Sequence, residues 1–257
     1  MKKIISKKVF KKPAKPATAT VHESRLNIFQ ATRRPVMKDE IIKTAWGKVR
    51  VKGKLGQGEQ DVLESLFFTA IKKRTYKDGK ITIIVDPAKV RKAARLLSET
   101  ALDNAMFNLV NTAIEIFEPK KLAGVGGLIS FVDKSSDLTA KNPITSFKKE
   151  AADERHLWEI EVGQIIKRLW DGDILLWHDP SDICKLRHGA TQALARLVLG
   201  HKETPNGGWL LNTLIQQTCG ELCEQELKDR RREIKKDAAE LANIGIIIDK
   251  DRVNKRV

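Results

Sequence analysis

Apolar residues recur at three and four over Glu59–Lys73, where Val62, Leu63, Leu66, Phe67, Ala70 and Ile71 share one side and predict an amphipathic helix. The turn signal Lys77-Asp78-Gly79-Lys80 leads into Ile81–Val85, a β-branched run that reads as a strand. Asp86-Pro87 supplies a cap and a first helical position for a short helix to about Leu96. Ser98 opens another helix, to about Thr112, with Leu102, Ala105, Met106, Leu109 and Ala113 as its apolar stripe. Ile114–Phe117 reads as a strand stopped by Pro119. Gly124, Gly126 and Gly127 mark a turn, and Leu128–Val132 returns as the second strand of a hairpin. Helix, strand, helix, helix, hairpin is the order of a winged helix.

The polar stretch 133–153 reads as a loop or extended wing, and then the pattern partly repeats. His156–Val162 predicts a strand, Gly163–Trp170 a short helix and Ile174–Trp177 a strand. A helix over Ala190–Leu199 follows, then a turn at Thr204–Gly208, a short strand at Trp209–Leu211 and a short helix at Asn212–Thr218. A long helix over Glu221–Asn243 ends at Gly245, a natural C-terminal stop, and Ile246–Ile248 begins a second hairpin. The expected fold is α+β: two tandem winged-helix domains, at 55–153 and 154–257.

Charge changes the picture at the N-terminus. Residues 1–54 hold 16 Lys and Arg against 3 Asp and Glu, and 1–20 contain seven Lys, two Pro and no acid. Apart from a short strand expected at Trp46–Leu55, this segment reads as a basic, largely disordered arm suited to a polyanion. The rest of the chain is nearly neutral, so the net charge of +15 is mostly a property of the arm.

Several chemistries lack their residues. A phosphate loop needs Gly-rich backbone followed by Lys-Ser/Thr, and none occurs. A nicking relaxase pairs a Tyr nucleophile with His-x-His; the chain has one Tyr, Tyr76, and no such pair. There is no Gly-x-Ser-x-Gly elbow. Neither an enzyme nor a cofactor is expected. Cys184 with His188 and Cys219 with Cys223 have helical i,i+4 spacing that zinc could use, but packed thiols are the simpler reading and no metal is expected. No apolar run approaches the roughly 20 residues a bilayer needs, and no secretory signal follows the first lysines. A membrane partner is therefore not expected, and the three cysteines suit a bacterial cytoplasm.

The residue types that remain fit duplex DNA. On the long helix Lys228, Arg231, Arg232, Lys235 and Lys236 occupy one flank of the apolar stripe and the acids the other. Thr100, Asn104, Asn108 and Asn111 stand opposite the stripe of the Ser98–Thr112 helix, and Asn pairs bidentately with adenine. Lys120 and Lys121, in the expected wing turn, suit phosphates. A salt-laced surface helix and a solvated amide row are the plain alternatives. Few aromatics argue against single-stranded RNA.

At this point the chain resembles a known family. His156-Leu157-Trp158-Glu159-Ile160 leads into Ile165-Ile166-Lys167-Arg168, followed by Leu186-Arg187-His188-Gly189-Ala190-Thr191 through Leu197 and by Trp209-Leu210-Leu211-Asn212-Thr213-Leu214. Lys228-Asp229-Arg230-Arg231-Arg232-Glu233-Ile234 then runs into Ala242-Asn243-Ile244-Gly245. This series is similar to the C-terminal half of the IncQ-type, iteron-binding plasmid replication initiators. Gly58-Glu59-Gln60-Asp61-Val62-Leu63 and Ala101-Leu102 match more loosely. The 133–153 loop and the Lys-rich arm depart from the family, and the last hairpin is short. The resemblance implies binding to origin repeats, opening of adjacent AT-rich DNA and loading of a plasmid-encoded helicase, with a homodimer among the assemblies it allows. A winged-helix transcriptional repressor, and a structural or RNA-associated protein acting through its arm, remain as alternatives.

Overall fold

The computed structural model describes residues 16–134, 139–140 and 155–256. In chain order, β1 (Ala19–Thr20) leads into α1 (Val21–Arg25), and the hairpin β2 (Lys38–Thr44) and β3 (Gly47–Gly53) precedes α2 (Gln57–Thr69). A second hairpin, β4 (Lys72–Thr75) and β5 (Ile81–Val85), is followed by α3 (Pro87–Ala93) and α4 (Glu99–Asn111). Next come β6 (Ala113–Glu118), a 3-10 turn at Lys120–Leu122, β7 (Gly124–Gly126), β8 (Ile129–Asp133), β9 (Thr139–Ala140), β10 (Arg155–His156), β11 (Trp158–Val162) and α5 (Gln164–Gly172). The remainder is β12 (Leu175–Leu176), α6 (Gly189–Leu199), β13 (Trp209–Leu210), α7 (Leu211–Cys219), α8 (Glu224–Lys236), α9 (Ala238–Asn243) and the hairpin β14 (Ile246–Asp249) and β15 (Arg252–Lys255). The fold is α+β, with several small sheets.

The predicted caps are made. The Asp86 carboxylate accepts from the Ala88 N–H at 2.9 Å, and the Ser98 hydroxyl accepts from the Ala101 N–H at 3.1 Å. One four-stranded antiparallel sheet has the order β4-β5-β11-β8, and a three-stranded one the order β13-β15-β14. A further four-stranded sheet, β2-β3-β6-β7, was not anticipated.

Three expectations require correction. The first is the arm. Residues 1–15 lie outside the described residues, but 16–54 are folded: Ala17, Ala19, Val21, Leu26, Ile28, Phe29, Val49 and Val51 are buried. β1 pairs with β12, and Thr20 and Glu23 form a capping box for α1. In β3 the exposed Arg50 and Lys52 alternate with buried Val49 and Val51, so the basic charge rides on the outer face of a packed strand.

The second is the domain boundary at 153/154. β11 inserts between β5 and β8, and Ile165, Ile166 and Leu169 of α5 join the same core as Leu26 and Val62. That core ends at Leu169, and a second begins at Ile183 and runs to Val253. The third is the hairpin expected from Ile114–Phe117 and Leu128–Val132. β6 instead pairs with β3 and β7, while β8 pairs with β11. Most of the expected 133–153 loop lies outside the described residues.

The two cores meet through α1, α2 and α6. At Gly189 a Cβ would come within 2.5 Å of the Thr32 Cα, so α6 starts flush against the 32–33 backbone. Beside it, Arg196 donates from Nη2 to Asp61 at 2.7 Å, from Nε to Glu64 at 2.8 Å and from Nη1 to Gln57 at 2.8 Å. All four of these side chains are buried.

Candidate nucleic-acid interface

Of the two expected reading helices, α4 divides cleanly into a buried and an exposed face. Leu102, Ala105, Met106 and Leu109 are buried, as its periodicity predicts. Thr100, Asn104 and Asn111 are exposed on the opposite side. Asn108 is not part of that row: it is half-buried and donates to Glu59 Oε1 at 2.8 Å, tying α4 to the first turn of α2. The residue that completes the row is Phe107, whose side chain stands 67% exposed. The spacing Thr100, Asn104, Phe107, Asn111 is four, three, four, which is one helix face. A Phe within a polar row was the available signal, and the count of amides hid it.

α3, immediately before α4, is the expected short helix, but its basic charge was overlooked. From Pro87 to Ser98 the chain has four cations, Lys89, Arg91, Lys92 and Arg95, and no acid. Val90 and Ala94 are buried against the core, and Lys89, Lys92 and Arg95 are exposed.

The expected long helix Glu221–Asn243 is two helices. It breaks at Asp237, whose buried carboxylate accepts from the His188 backbone N–H at 3.1 Å and lies 2.9 Å from His188 Nδ1. The break thus falls where the chain is held to His188, the cap residue of α6. Ile234 and Leu241 are buried as expected, but Cys223 is exposed as the cap residue of α8. Cys219 ends α7, across the turn at Gly220, so the two cysteines do not share a helix face. Cys184 is buried, and burial pushes its thiol up. Among the described residues no group of three or more His, Cys, Asp or Glu is placed to hold a metal. No helix among them is long and apolar enough to cross a membrane.

The charges of α8 are not segregated as the sequence implied. Lys228 lies 2.6 Å from Glu224, Arg232 3.4 Å from Asp229 and Arg230 2.8 Å from Glu233. Side-chain reach along the helix brings the two flanks together. Arg231 is committed more deeply. It donates from Nη1 to Asn212 Oδ1 at 2.8 Å and from Nη2 to Asp251 in the turn between β14 and β15. Arg232 keeps 68% of its side chain exposed, and Lys235 and Lys236 are exposed in the last turn. Lys120 and Lys121 are exposed too, but on the 3-10 turn that joins β6 to β7, in a different sheet from β8 and β11. Tyr76 donates its hydroxyl to Glu159 at 3.4 Å.

Electrostatically the inter-core cluster is the most perturbed region. Burial pushes Glu23 up to about 8, helped by the neighbouring Glu64 charge. Burial acts the same way on Glu64, but Arg196 and His178 outweigh it and hold that carboxyl down at about 2. Glu23, Glu64 and Arg196 are buried where the two cores meet, and His178 is half-buried beside them.

No protein-family model, curated protein or solved structure matches the chain.

Proposed function

We propose that this protein is a non-enzymatic, sequence-specific duplex-DNA-binding protein with two tandem winged-helix units, acting as an initiator of plasmid replication. One observation supports the reading: an order of helix, strand, helices and two strands, with the last strand between the other two, occurs twice. In the first unit α2, β5, α3, α4, β8 and β11 follow in order; β4 is an added edge strand, and β5, β8 and β11 lie as first, third, second. In the second, α6, β13, α7, α8 with α9, β14 and β15 follow in order, and the strands again lie as first, third, second. The β6–β7 segment is an insertion into the first unit. In each, the helix before the final hairpin is the one that such a fold offers to a major groove.

The chemistry of those helices supports duplex DNA as the ligand. Cations on α3 suit phosphates, and amides on α4 suit adenine. On α8 the exposed Arg232, Lys235 and Lys236 suit phosphate or guanine. The pairs that Lys228 and Arg232 make with Glu224 and Asp229 are solvent-exposed, worth about 0–1 kcal/mol each, and a phosphate competes with them readily. Initiation, rather than regulation, rests on the family resemblance of the second half.

Footprinting on the plasmid that carries the gene tests this reading. Protection of direct repeats beside an AT-rich stretch is the expected result. Protection of an inverted repeat over a promoter would instead make the protein a repressor. ATP hydrolysis, or covalent attachment to DNA through Tyr76, would end the non-enzymatic reading.

A further inference from the structure

The exposed row on α4 contains one side chain that neither solvent nor the fold accounts for. Phe107 is 67% exposed between Asn104, three residues before it, and Asn111, four residues after it. The Asn111 side chain donates to the Phe107 carbonyl at 2.8 Å, so its amide folds back along the same face. Leu97, in the turn between α3 and α4, is fully exposed as well. An apolar ring left in water gains nothing on folding, and a partner that covers it gains the free energy of its burial.

The surroundings select the partner. α3 and the turn after it supply Lys89, Arg91, Lys92 and Arg95 with no acid among them, a surface complementary to a polyanion. α4 itself has no cation; its acids are Glu99 and Asp103, and Asp103 is paired with Lys134. A helix of that kind does not grip phosphates. Its amides and ring suit base edges, while the preceding helix meets the backbone. In the major groove the apolar feature of a base edge is the thymine 5-methyl group, and Phe is among the side chains that contact it.

We infer that Phe107 is a specificity-determining residue that packs on a thymine methyl in the major groove, next to bases read by Asn104. This inference rests on the duplex-DNA reading above. It assigns an apolar contact, with no hydrogen bond, to one A·T position of the site.

Deoxyuridine tests it, because it differs from thymine only by the methyl. The full-length protein first selects its preferred sequence from a pool of randomised duplexes. Each thymine of the selected duplex is then replaced in turn by deoxyuridine. Wild type is expected to lose about four-fold in affinity at one such position, the value of one buried methyl group. Phe107→Ala should bind the thymine duplex more weakly by at least that factor and not distinguish it from the deoxyuridine duplex. Phe107→Leu, which keeps an apolar contact, should retain the distinction. Indifference of wild type to every replacement would overturn the inference, as would undiminished sensitivity in Phe107→Ala. A changed sedimentation coefficient for Phe107→Ala with its DNA preference intact would also overturn it, assigning the ring to a protein contact. If wild type enriches no sequence, the duplex-DNA reading fails and takes this inference with it; if a sequence is enriched and no methyl matters, only the inference falls.

Discussion

Glu23 offers the sharpest test of the packing between the two cores. Its side chain is buried; Oε2 accepts from the Thr20 N–H at 3.3 Å, and Oε1 has no hydrogen-bond partner among the described residues. The groups that bear on it are Glu64 and Asp173, which disfavour its charge, and Arg196, which favours it. Burial dominates and lifts the carboxyl from its ordinary 4.5 to about 8. Between those values the folded chain holds a proton that the unfolded chain has released. Stability therefore falls as pH rises through that window and levels off above it. Glu64, held at about 2, contributes in the opposite sense, but its contribution is complete above about 4.5 and does not distort a series begun at pH 5. Glu23→Gln removes the titration and keeps an oxygen for the Thr20 N–H. From pH 5 to the folded value of about 8 is about 3 pH units, so the advantage of the variant should grow by at most about 4 kcal/mol, at about 1.4 kcal/mol per unit. Urea unfolding of both proteins at pH 5, 7 and 9 measures that growth as a difference, in which the other titrating groups largely cancel. A constant difference across the series would show that Glu23 is not held protonated, and that the contact between the cores is open to water.

Other outcomes follow from the same structure. Arg196→Met should destabilise by about 3–5 kcal/mol in urea unfolding, because it strands the buried carboxylates Asp61 and Glu64. Asp237→Ala removes the acceptor for two His188 groups and should cost about 1–3 kcal/mol, with added amide exchange where α8 meets α9. Arg231→Ala should lower the melting temperature as well as any DNA affinity, because Arg231 ties α8 to Asn212 and Asp251, whereas Arg232→Ala should leave melting unchanged. Replacing Lys89, Lys92 and Arg95 together by Ala should flatten the dependence of log affinity on log salt by about 0.9 for each phosphate no longer neutralised, with base preference retained in a competition assay.

Local periodicity made most elements legible. Ile81–Val85, the caps at Asp86 and Ser98, and the apolar stripe of α4 stand where the sequence places them. Long-range pairing was not legible. Nothing near Leu128–Val132 announces that its partner is Trp158–Val162 rather than Ile114–Phe117, because both candidates alternate and are β-rich. In the N-terminal segment the alternation of Lys48-Val49-Arg50-Val51-Lys52 makes its strand legible whatever its charge, but the net charge hid the packing of 16–45 against the core. The break at Asp237 was hidden for a different reason. Ala, Leu and Glu propensities favour one helix across it, and the contact of Asp237 with His188 is tertiary and has no local sequence signal. Of the site, the row on α4 was legible to within one residue, with Asn108 turned toward Glu59 and Phe107 in its place. The basic run on α3 was fully legible in the sequence and passed over.

The buried cluster and the proposed reading surfaces are linked by geometry. Arg196 on α6 makes directional bonds to three side chains of α2, and α2 carries the Glu59 that holds Asn108 of α4. Asp237, which follows α8, is bonded to His188 at the start of the same α6. Each proposed reading helix is thus joined to the α2–α6 contact through buried or half-buried hydrogen bonds rather than through a free linker. On the proposed reading, the separation of the two helix–turn–helix surfaces is set by that contact, and a DNA site must match it. Inserting half a helical turn, about 5 base pairs, between the parts of the site read by α4 and by α8 would then place one part on the far side of the duplex, while a full turn of about 10 would restore the face but not the distance. Both insertions should weaken binding to the level of one unit alone. A linker-tethered pair of units would tolerate the full turn, so equal affinity for the native and the full-turn sites would show that the α2–α6 contact opens on DNA.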